Sequence, residues 1–135
     1  MRFMIIVKAT ADSEAGVMPE EKKFHDMAAY HEELAKAGVL LDASGLHPSA
    51  KGWRIRYSGS KRVVVDGPFT EAKELIAGYT LIQAKSREEA MEWSKRFPNP
   101  VGDGKLCEIE VRQLFSLEDF EPNPAIERFR ELGMQ

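Results

Sequence analysis

Residues 2–9, with the sequence RFMIIVKA, form a predicted β-strand that is apolar on both faces. Successive side chains of a strand point to opposite sides, and a sheet with one face in water shows a polar residue at every second position. This strand lacks that alternation. The apolar side chains on its two faces are Phe3, Ile5 and Val7 on one side and Met4 and Ile6 on the other. Any fold built on this strand must therefore cover both faces of its sheet.

The later segments alternate between the periods of helices and strands. Pro19 suits the first turn of a helix and Gly38 suits the position just after its end, which predicts a helix between them and a polar loop at 11–18. Ser86 and Glu89 form an S-x-x-E capping box that begins a second helix, and Pro98 ends it. The predicted strands lie at 38–48, 53–57, 62–66, 76–85 and 106–115.

Two of these elements have a clear apolar face that predicts part of the core. The first helix carries a stripe at helical spacing, and the last strand alternates between apolar and charged residues. We expect the core residues to be Phe24, Met27, Leu34 and Ala35 in the helix and Cys107, Ile109, Val111 and Phe115 in the strand.

The order of elements predicts an α+β fold: a ferredoxin-like split βαβ antiparallel sheet with a β-hairpin inserted at 53–66. Two helices cover only one face of such a sheet. The apolar residues on the other face need a partner, and the simplest partner is a second copy related by a two-fold axis. We therefore expect a homodimer in which two sheets pack face to face.

Length, charge and cysteine content narrow the class of protein. A chain of 135 residues suits one domain, and a net charge of −3 argues against direct binding to nucleic acid, which needs basic surface. One cysteine excludes an internal disulfide and is typical of a cytoplasmic protein. The apolar run Phe3–Val7 is too short to span a membrane or to form a signal-peptide core. We expect a cytoplasmic protein with no membrane partner.

The motifs that bind common cofactors and metals are missing from the sequence. There is no H-x-x-x-H, no C-x-x-C and no tight carboxylate cluster, which predicts no metal site. The segment VGDGK at 101–105 is not followed by a helix, and no G-x-S-x-G elbow occurs. We therefore expect no cofactor.

The segment DGPF at 66–69 ends a predicted strand and is the first candidate site. Asp66 suits an Asx-type turn that accepts backbone N–H groups, Gly67 allows a positive φ, Phe69 can anchor the corner on the sheet, and Thr70 suits the start of a short helical turn. One interpretation is a rigid corner with Asp66 as an ordinary turn former. A second places the carboxylate at the mouth of a cavity as a base or orienting group, and a third assigns the corner to the dimer contact.

The histidines are candidate partners of that carboxylate. His31 lies in the middle of the first helix's apolar stripe, where it is either a neutral buried imidazole or a general base facing a cavity. His47 lies beside a proline at the end of the second strand, either in a cleft or on the surface. His25 lies off the stripe and is expected to be solvated. Asp66, His47 and His31 are thus the candidate catalytic residues.

Four other side chains are candidate contacts for a small-molecule ligand: Tyr30, Phe69, Tyr79 and Arg54. Tyrosine hydroxyls and a guanidinium fork suit polar or anionic groups. Each residue also has a plainer interpretation, since core aromatics often carry a polar tip and Arg54 falls on the outward face of a hairpin. The charged face of the last strand, with Glu108, is expected to be solvated or salt-bridged.

Four blocks resemble the YCII-related family, specifically its DGPF branch: RFMIIVKA, AGVLLDASGLHP, DGPF and SREEAMEWSKRFP. The resemblance covers residues 1–116, and 117–135 form a C-terminal extension with a predicted short helix, part of the same domain. It implies a dimeric α+β barrel. It also implies that some relatives are enzymes using a histidine and an aspartate, and that some DGPF-type proteins associate with sigma factors. In the enzymatic relatives that histidine precedes the helix-ending glycine by eleven residues. Here that position is Met27, a departure from the pattern.

Two functions are consistent with these features. The first is a cofactor-independent small-molecule enzyme with acid–base residues in a barrel cavity. The second is a non-catalytic ligand-binding or regulatory module, linked by the family resemblance to sigma-factor-dependent transcription.

Overall fold

A computed structural model describes residues 1–135 of the chain. The strands are β1 (Arg2–Lys8), β2 (Leu40–Gly45), β3 (Trp53–Ser58), β4 (Lys61–Asp66), β5 (Ile76–Gln83) and β6 (Ile109–Gln113). The helices are α1 (Ala11–Glu14), α2 (Glu21–Lys36), α3 (Arg87–Lys95) and α4 (Pro124–Glu131), with short 3-10 turns at Ser49–Lys51, Ala72–Glu74 and Leu117–Asp119. None of the helices has both the length and the apolar character needed to cross a bilayer.

Four strands form one antiparallel sheet in the order β2-β5-β1-β6, and β3 and β4 form a separate two-stranded hairpin. The two central strands, β1 and β5, are adjacent although α2, β2 and the hairpin lie between them in the chain. This is the predicted split βαβ arrangement, with the hairpin inserted between β2 and β5. The α+β, ferredoxin-like fold class is confirmed.

The core lies between the sheet and the helices α2 and α3. Phe3 and Ile5 of β1 and Ile82 of β5 point to this side, because residues opposite one another in the register share a face. The buried cluster consists of Phe3, Ile5, Tyr30, Leu34, Val39, Ile82, Ala84 and Ala90. Apolar side chains on the opposite face of β1 and β5 stand outside this cluster and are partly exposed: Met4, Ile6, Tyr79 and Leu81. The homodimer that would cover them stays a prediction.

Both helix boundaries that the sequence marked most clearly are confirmed to within two residues. Gly38 adopts φ 74 just beyond the end of α2, the left-handed conformation that glycine tolerates. At the start of α3 the Ser86 side chain accepts from the Glu89 N–H. The Glu89 carboxylate accepts from the N–H of Lys85, one residue before the expected partner.

Several local predictions were wrong. Residues 11–14 form the short helix α1 within the predicted loop, because Thr10 and Ser13 cap it reciprocally. Phe24 is 57% exposed, since the buried contacts of α2 begin six residues later, at Tyr30. Ala35 is exposed too.

The last strand is shorter than the predicted range of 106–115 and spans only Ile109–Gln113. Ile109 and Val111 pack against the core as expected. Cys107 and Phe115 lie outside the strand and are exposed, Phe115 by 71%, so neither belongs to the core.

The C-terminal extension folds back toward the beginning of β1. Leu117 and Ile126 are buried, and Asn123 caps α4 by accepting from the Ala125 N–H. The Arg2 guanidinium donates to the carbonyls of Phe115 and Gln135, both at 3.0 Å. These contacts attach the extension to the end of the sheet where β1 starts and β6 stops.

Candidate functional site

The DGPF corner is fixed against the turn that follows β2. The N–H of Gly67 donates to the Gly52 carbonyl at 2.9 Å, and the N–H of Phe69 donates to the Ser49 hydroxyl oxygen at 3.0 Å. The corner therefore shares two hydrogen bonds with residues 49–52. The predicted Asx turn is wrong, because the Asp66 carboxylate accepts no hydrogen bond and Ser49 takes the N–H that it was expected to take.

Gly67 is needed for space, whereas the sequence suggested backbone freedom. Its φ lies outside the positive range. A Cβ placed on Gly67 would lie 1.8 Å from the Ser49 carbonyl oxygen and 2.7 Å from its carbon. Only a residue without a side chain permits this close approach of two backbone segments. The positive φ that a glycine allows is not used at this position.

Glu14 and Ser49 support the corner through hydrogen bonds, and neither residue was a predicted site residue. The Glu14 carboxylate accepts from the Ser49 N–H at 2.9 Å and from the Ser49 hydroxyl. The hydroxyl first, and then the backbone N–H, lower the pKa of Glu14 from its ordinary value. One serine thus joins α1, the turn after β2 and the corner. The capping pair Thr10 and Ser13 was the available signal that Glu14 lies on a helix.

Arg54 and Phe69 lie against each other at the base of the hairpin. The guanidinium carbon of Arg54 is 3.7 Å from the centroid of the Phe69 ring, a cation–π contact. Arg54 therefore packs on the corner, although it was also a candidate for the outward hairpin face. These two predicted ligand contacts are brought together.

Asp66 and His47 flank this fixed corner. Asp66 is the last residue of β4 and is exposed, and its carboxylate takes part in no hydrogen bond or ion pair. His47 is exposed and lies two residues before Ser49 in the chain, so its Cα is within about 7 Å of the Cα of Ser49. No hydrogen bond joins His47 to Asp66.

His31 lies elsewhere, between α2 and the sheet, and both of its ring nitrogens have partners. Nδ1 is 2.7 Å from the Met27 carbonyl and Nε2 is 2.8 Å from the hydroxyl oxygen of Thr80. A carbonyl can only accept, so Nδ1 carries a proton, and in the neutral ring Nε2 accepts from the Thr80 hydroxyl. Thr80 is buried, and no local pattern in the sequence marks it as a partner of His31. His31 is thus half-buried with both ring nitrogens hydrogen-bonded inside the fold, and its role stays a prediction.

The two candidate tyrosines occupy different parts of the molecule. The Tyr30 hydroxyl donates to the Trp93 carbonyl at 2.7 Å, and burial raises the pKa of Tyr30 to about 12. Tyr79 lies on the face of the sheet away from the helices, where its hydroxyl donates to the Asp42 carboxylate at 3.0 Å. Neither tyrosine contacts the corner. His25 is exposed beside Glu21, as expected.

Two clefts border the C-terminal extension, with volumes of about 580 and 650 Å³. The first lies between the extension and the ends of the strands, and the second lies within the extension. None of the predicted site residues lines either cleft. No group of three or more histidine, cysteine, aspartate or glutamate side chains is arranged to hold a metal ion.

The charged face of the last strand, expected to be solvated or salt-bridged, is salt-bridged at the surface. Lys8 donates to Glu108 at 2.6 Å and lies 3.9 Å from Glu110, at the surface. The neighbouring carboxylates, Glu108 foremost, raise the pKa of Lys8, and Lys8 lowers the pKa of Glu108. These residues form a surface ion pair with no ligand geometry.

Comparison with known proteins places the chain in a family. An uncharacterised protein of Rhizobium meliloti (strain 1021) is 31% identical over 95 residues, which cover 70% of this chain and 75% of the relative. A similar solved structure is 5-chloro-2-hydroxyhydroquinone dehydrochlorinase from Burkholderia phenoliruptrix AC1100, in complex with 2,5-dihydroxybenzoquinone. The match has a TM-score of 0.44 at 14% identity and covers 90% of this chain and 100% of that one. The sequence profile of the YCII-related domain matches residues 1–115, and the chain belongs to that family.

Proposed function

We propose that the protein is a cofactor-independent small-molecule enzyme whose general base is Asp66. The observation that carries this proposal is a carboxylate without a partner on a corner whose Gly67 and Phe69 N–H groups are both hydrogen-bonded to the turn at 49–52. The corner's backbone is held by Gly52, Ser49 and, through Ser49, by Glu14. A carboxylate on a rigid support, free of internal hydrogen bonds, is positioned for a proton transfer to or from a bound molecule.

His47 is the proposed acid–base partner of Asp66. The backbones of Ser49 and Gly67 approach each other closely. His47 lies two residues before Ser49 in the chain, and Asp66 directly precedes Gly67. His31 is a weaker choice, because both of its nitrogens already have partners inside the protein. Arg54, stacked on Phe69, supplies a fixed positive charge beside the corner for an anionic group of the substrate.

The active form in this proposal is a homodimer. Met4, Ile6, Tyr79 and Leu81 lie on the sheet face opposite the core cluster, and each is partly exposed. A second copy packed on this face removes the apolar surface from water and closes a barrel. Sedimentation of the purified chain at micromolar concentration tests this step, and a monomer would contradict it.

Proton exchange into D₂O tests the base directly, without knowledge of the natural reaction. Small ketones, β-keto acids and hydroxyquinones serve as the panel of carbon acids, and exchange of their C–H protons is followed by NMR. We expect catalysed exchange for at least one compound, a loss of at least about 100-fold in Asp66→Asn, and a smaller loss in His47→Gln. Glu71→Gln, which removes another exposed carboxylate from the same segment, is the matched control and should retain activity. Equal exchange by wild type and Asp66→Asn, or no exchange with any compound, would contradict the proposal.

A non-catalytic binding module is the alternative, with sigma-factor association as its family-derived form. Two observations favour this alternative. Both ring nitrogens of His31 already have hydrogen-bond partners within the fold. The two clefts near the C-terminal extension are lined by none of the predicted acid–base residues. Under this alternative, compounds of the same panel shift the amide resonances of Asp66, Gly67 and Phe69, and the compounds' own C–H protons do not exchange.

A further inference from the structure

The β3–β4 hairpin stands away from the rest of the molecule with apolar side chains in water. Residues opposite one another in its register share a face, so Trp53, Ile55 and Tyr57 lie on the same side as Asp66, Val64 and Arg62. All six are exposed, Trp53 by 64% and Tyr57 by 70%. An isolated two-stranded hairpin is marginally stable in water, and an apolar face of this kind is typical of an interaction surface.

The hairpin also carries a concentrated positive charge. Its four cations and one carboxylate give residues 53–66 a net charge of +3, in a chain whose total is −3. None of the four cations forms an ion pair. Arg54 stacks on Phe69 and Arg62 on Tyr57, so their positive charges are held by aromatic rings. This charge is available to an acidic partner.

The C-terminal extension of the same chain has the complementary properties. Residues 117–135 contain five carboxylates and two arginines, a net charge of −3. At its start the rings of Phe115 and Phe120 pack with centroids 4.9 Å apart, and both are exposed. Glu118 has Arg130 at 3.6 Å, and the Glu121 carboxylate has no partner. An exposed aromatic pair beside carboxylates fits an apolar face edged with arginine.

One chain does not bring these two surfaces together. The hairpin leaves the sheet where β2 ends and β5 begins, and the extension starts at the opposite end, where Gln113 of β6 pairs with Phe3. β1 separates the two ends by its seven residues, about 20 Å. A two-fold axis perpendicular to the strands exchanges the two ends of the sheet, and so presents the extension of one copy to the hairpin of the other.

We propose that the hairpin of each subunit docks on the C-terminal extension of a second copy, with the face of Trp53, Ile55 and Tyr57 against Phe115 and Phe120. Arg62 faces Glu121 in this contact, which occurs twice in the dimer. The inference rests on the homodimer of the proposed function and adds the contact that specifies it.

A charge exchange between two variants tests the contact. Arg62→Glu and Glu121→Lys each place like charges at both copies of the contact, and we expect each to weaken dimerisation at low salt by about tenfold or more. An equimolar mixture of the two variants restores both contacts in the heterodimer, so its dissociation constant returns to that of the wild type. Arg56→Glu is the matched control: it makes the same change in charge on the other face of the hairpin and should have much less effect.

Sedimentation equilibrium separates failure of this inference from failure of the dimer. A stable dimer that responds equally to Arg62→Glu and Arg56→Glu, or variants that mixing does not rescue, would overturn the hairpin contact and leave the dimer intact. Ile6→Asp, on the sheet face, should dissociate the dimer in a way that neither charge variant rescues. A wild-type chain that is monomeric at all concentrations would overturn both.

Discussion

Replacing Gly67 by alanine is the sharpest test of how the corner is built. The new Cβ would lie 1.8 Å from the Ser49 carbonyl oxygen, where real contacts of this kind exceed 3.0 Å. The two backbone segments must separate by about 1 Å or more, and neither belongs to a flexible side chain. The corner therefore either strains or detaches from the turn at 49–52.

Detachment sets an upper limit on the cost. It breaks the hydrogen bonds from Gly67 to Gly52 and from Phe69 to Ser49, each worth about 1 kcal/mol. With the loss of packing around Phe69, we expect Gly67→Ala to lower the free energy of unfolding by about 2–3 kcal/mol.

Gly52→Ala is a control within the same turn, against the same atom. Its Cβ would lie 3.6 Å from the Ser49 carbonyl oxygen, an ordinary contact, and its φ of −115 suits alanine. We expect a change within about 1 kcal/mol, on the stabilising side because alanine restricts the unfolded chain. Urea denaturation gives both free energies, and amide shifts of Phe69 report whether the corner has moved. Equal costs for the two variants would refute the close-approach argument.

Three further predictions concern groups that the structure pairs internally. The pKa of Glu14 is lowered in the folded state, so its stabilising contribution is present above the unfolded value of 4.5 and is lost as the pH falls below it. Glu14→Gln should therefore reduce the change in the free energy of unfolding between about pH 5 and pH 3. An unchanged pH dependence in acidic denaturant titrations would contradict the bond to Ser49. Thr80→Val removes the buried hydroxyl that faces His31 Nε2 and should cost about 1–2 kcal/mol in urea unfolding, while a neutral effect would show that the imidazole has another partner. The pKa of Tyr30 is raised from 10.0 to about 12, so its contribution to the free energy of unfolding is complete below pH 10 and is lost as the pH rises toward 12. Ultraviolet titration should show one tyrosine that ionises at a higher pH than the others, and Tyr30→Phe should remove this transition. Ionisation of all three tyrosines in a single transition would refute the burial argument.

The fold class follows from local sequence patterns, because the spacing of apolar residues and the capping residues identify each helix and strand separately. The doubly apolar strand at 2–9, the capped helix beginning at Ser86 and the glycine at 38 all fix structure through residues near in sequence. Their order then restricts the sheet to few topologies. The same kind of pattern marks the hairpin, since the alternation in β3, the three β-branched residues Val63–Val65 of β4 and the turn at Gly59 are local features.

The limits of local patterns appear where an apolar residue has no neighbour to cover it. Phe24 and Phe115 continue apolar patterns that predict burial, yet both are exposed, because coverage depends on how far the opposing layer extends. The sequence contains no measure of that extent. Exposure of both faces of the hairpin is likewise visible only once the chain has been arranged in space.

The sequence indicates where the candidate site lies, and the tertiary structure decides which residues hold it in place. The DGPF segment identified Asp66 and Phe69, whereas Glu14 and Ser49, separated from the corner by many residues, reach it only through the fold. Gly67 illustrates the physical reason. A glycine in a sequence signals freedom of the backbone, but the need for it here is a carbonyl from another segment that occupies the place of a side chain. Long-range approaches of this kind depend on packing, and packing is decided by the whole chain at once.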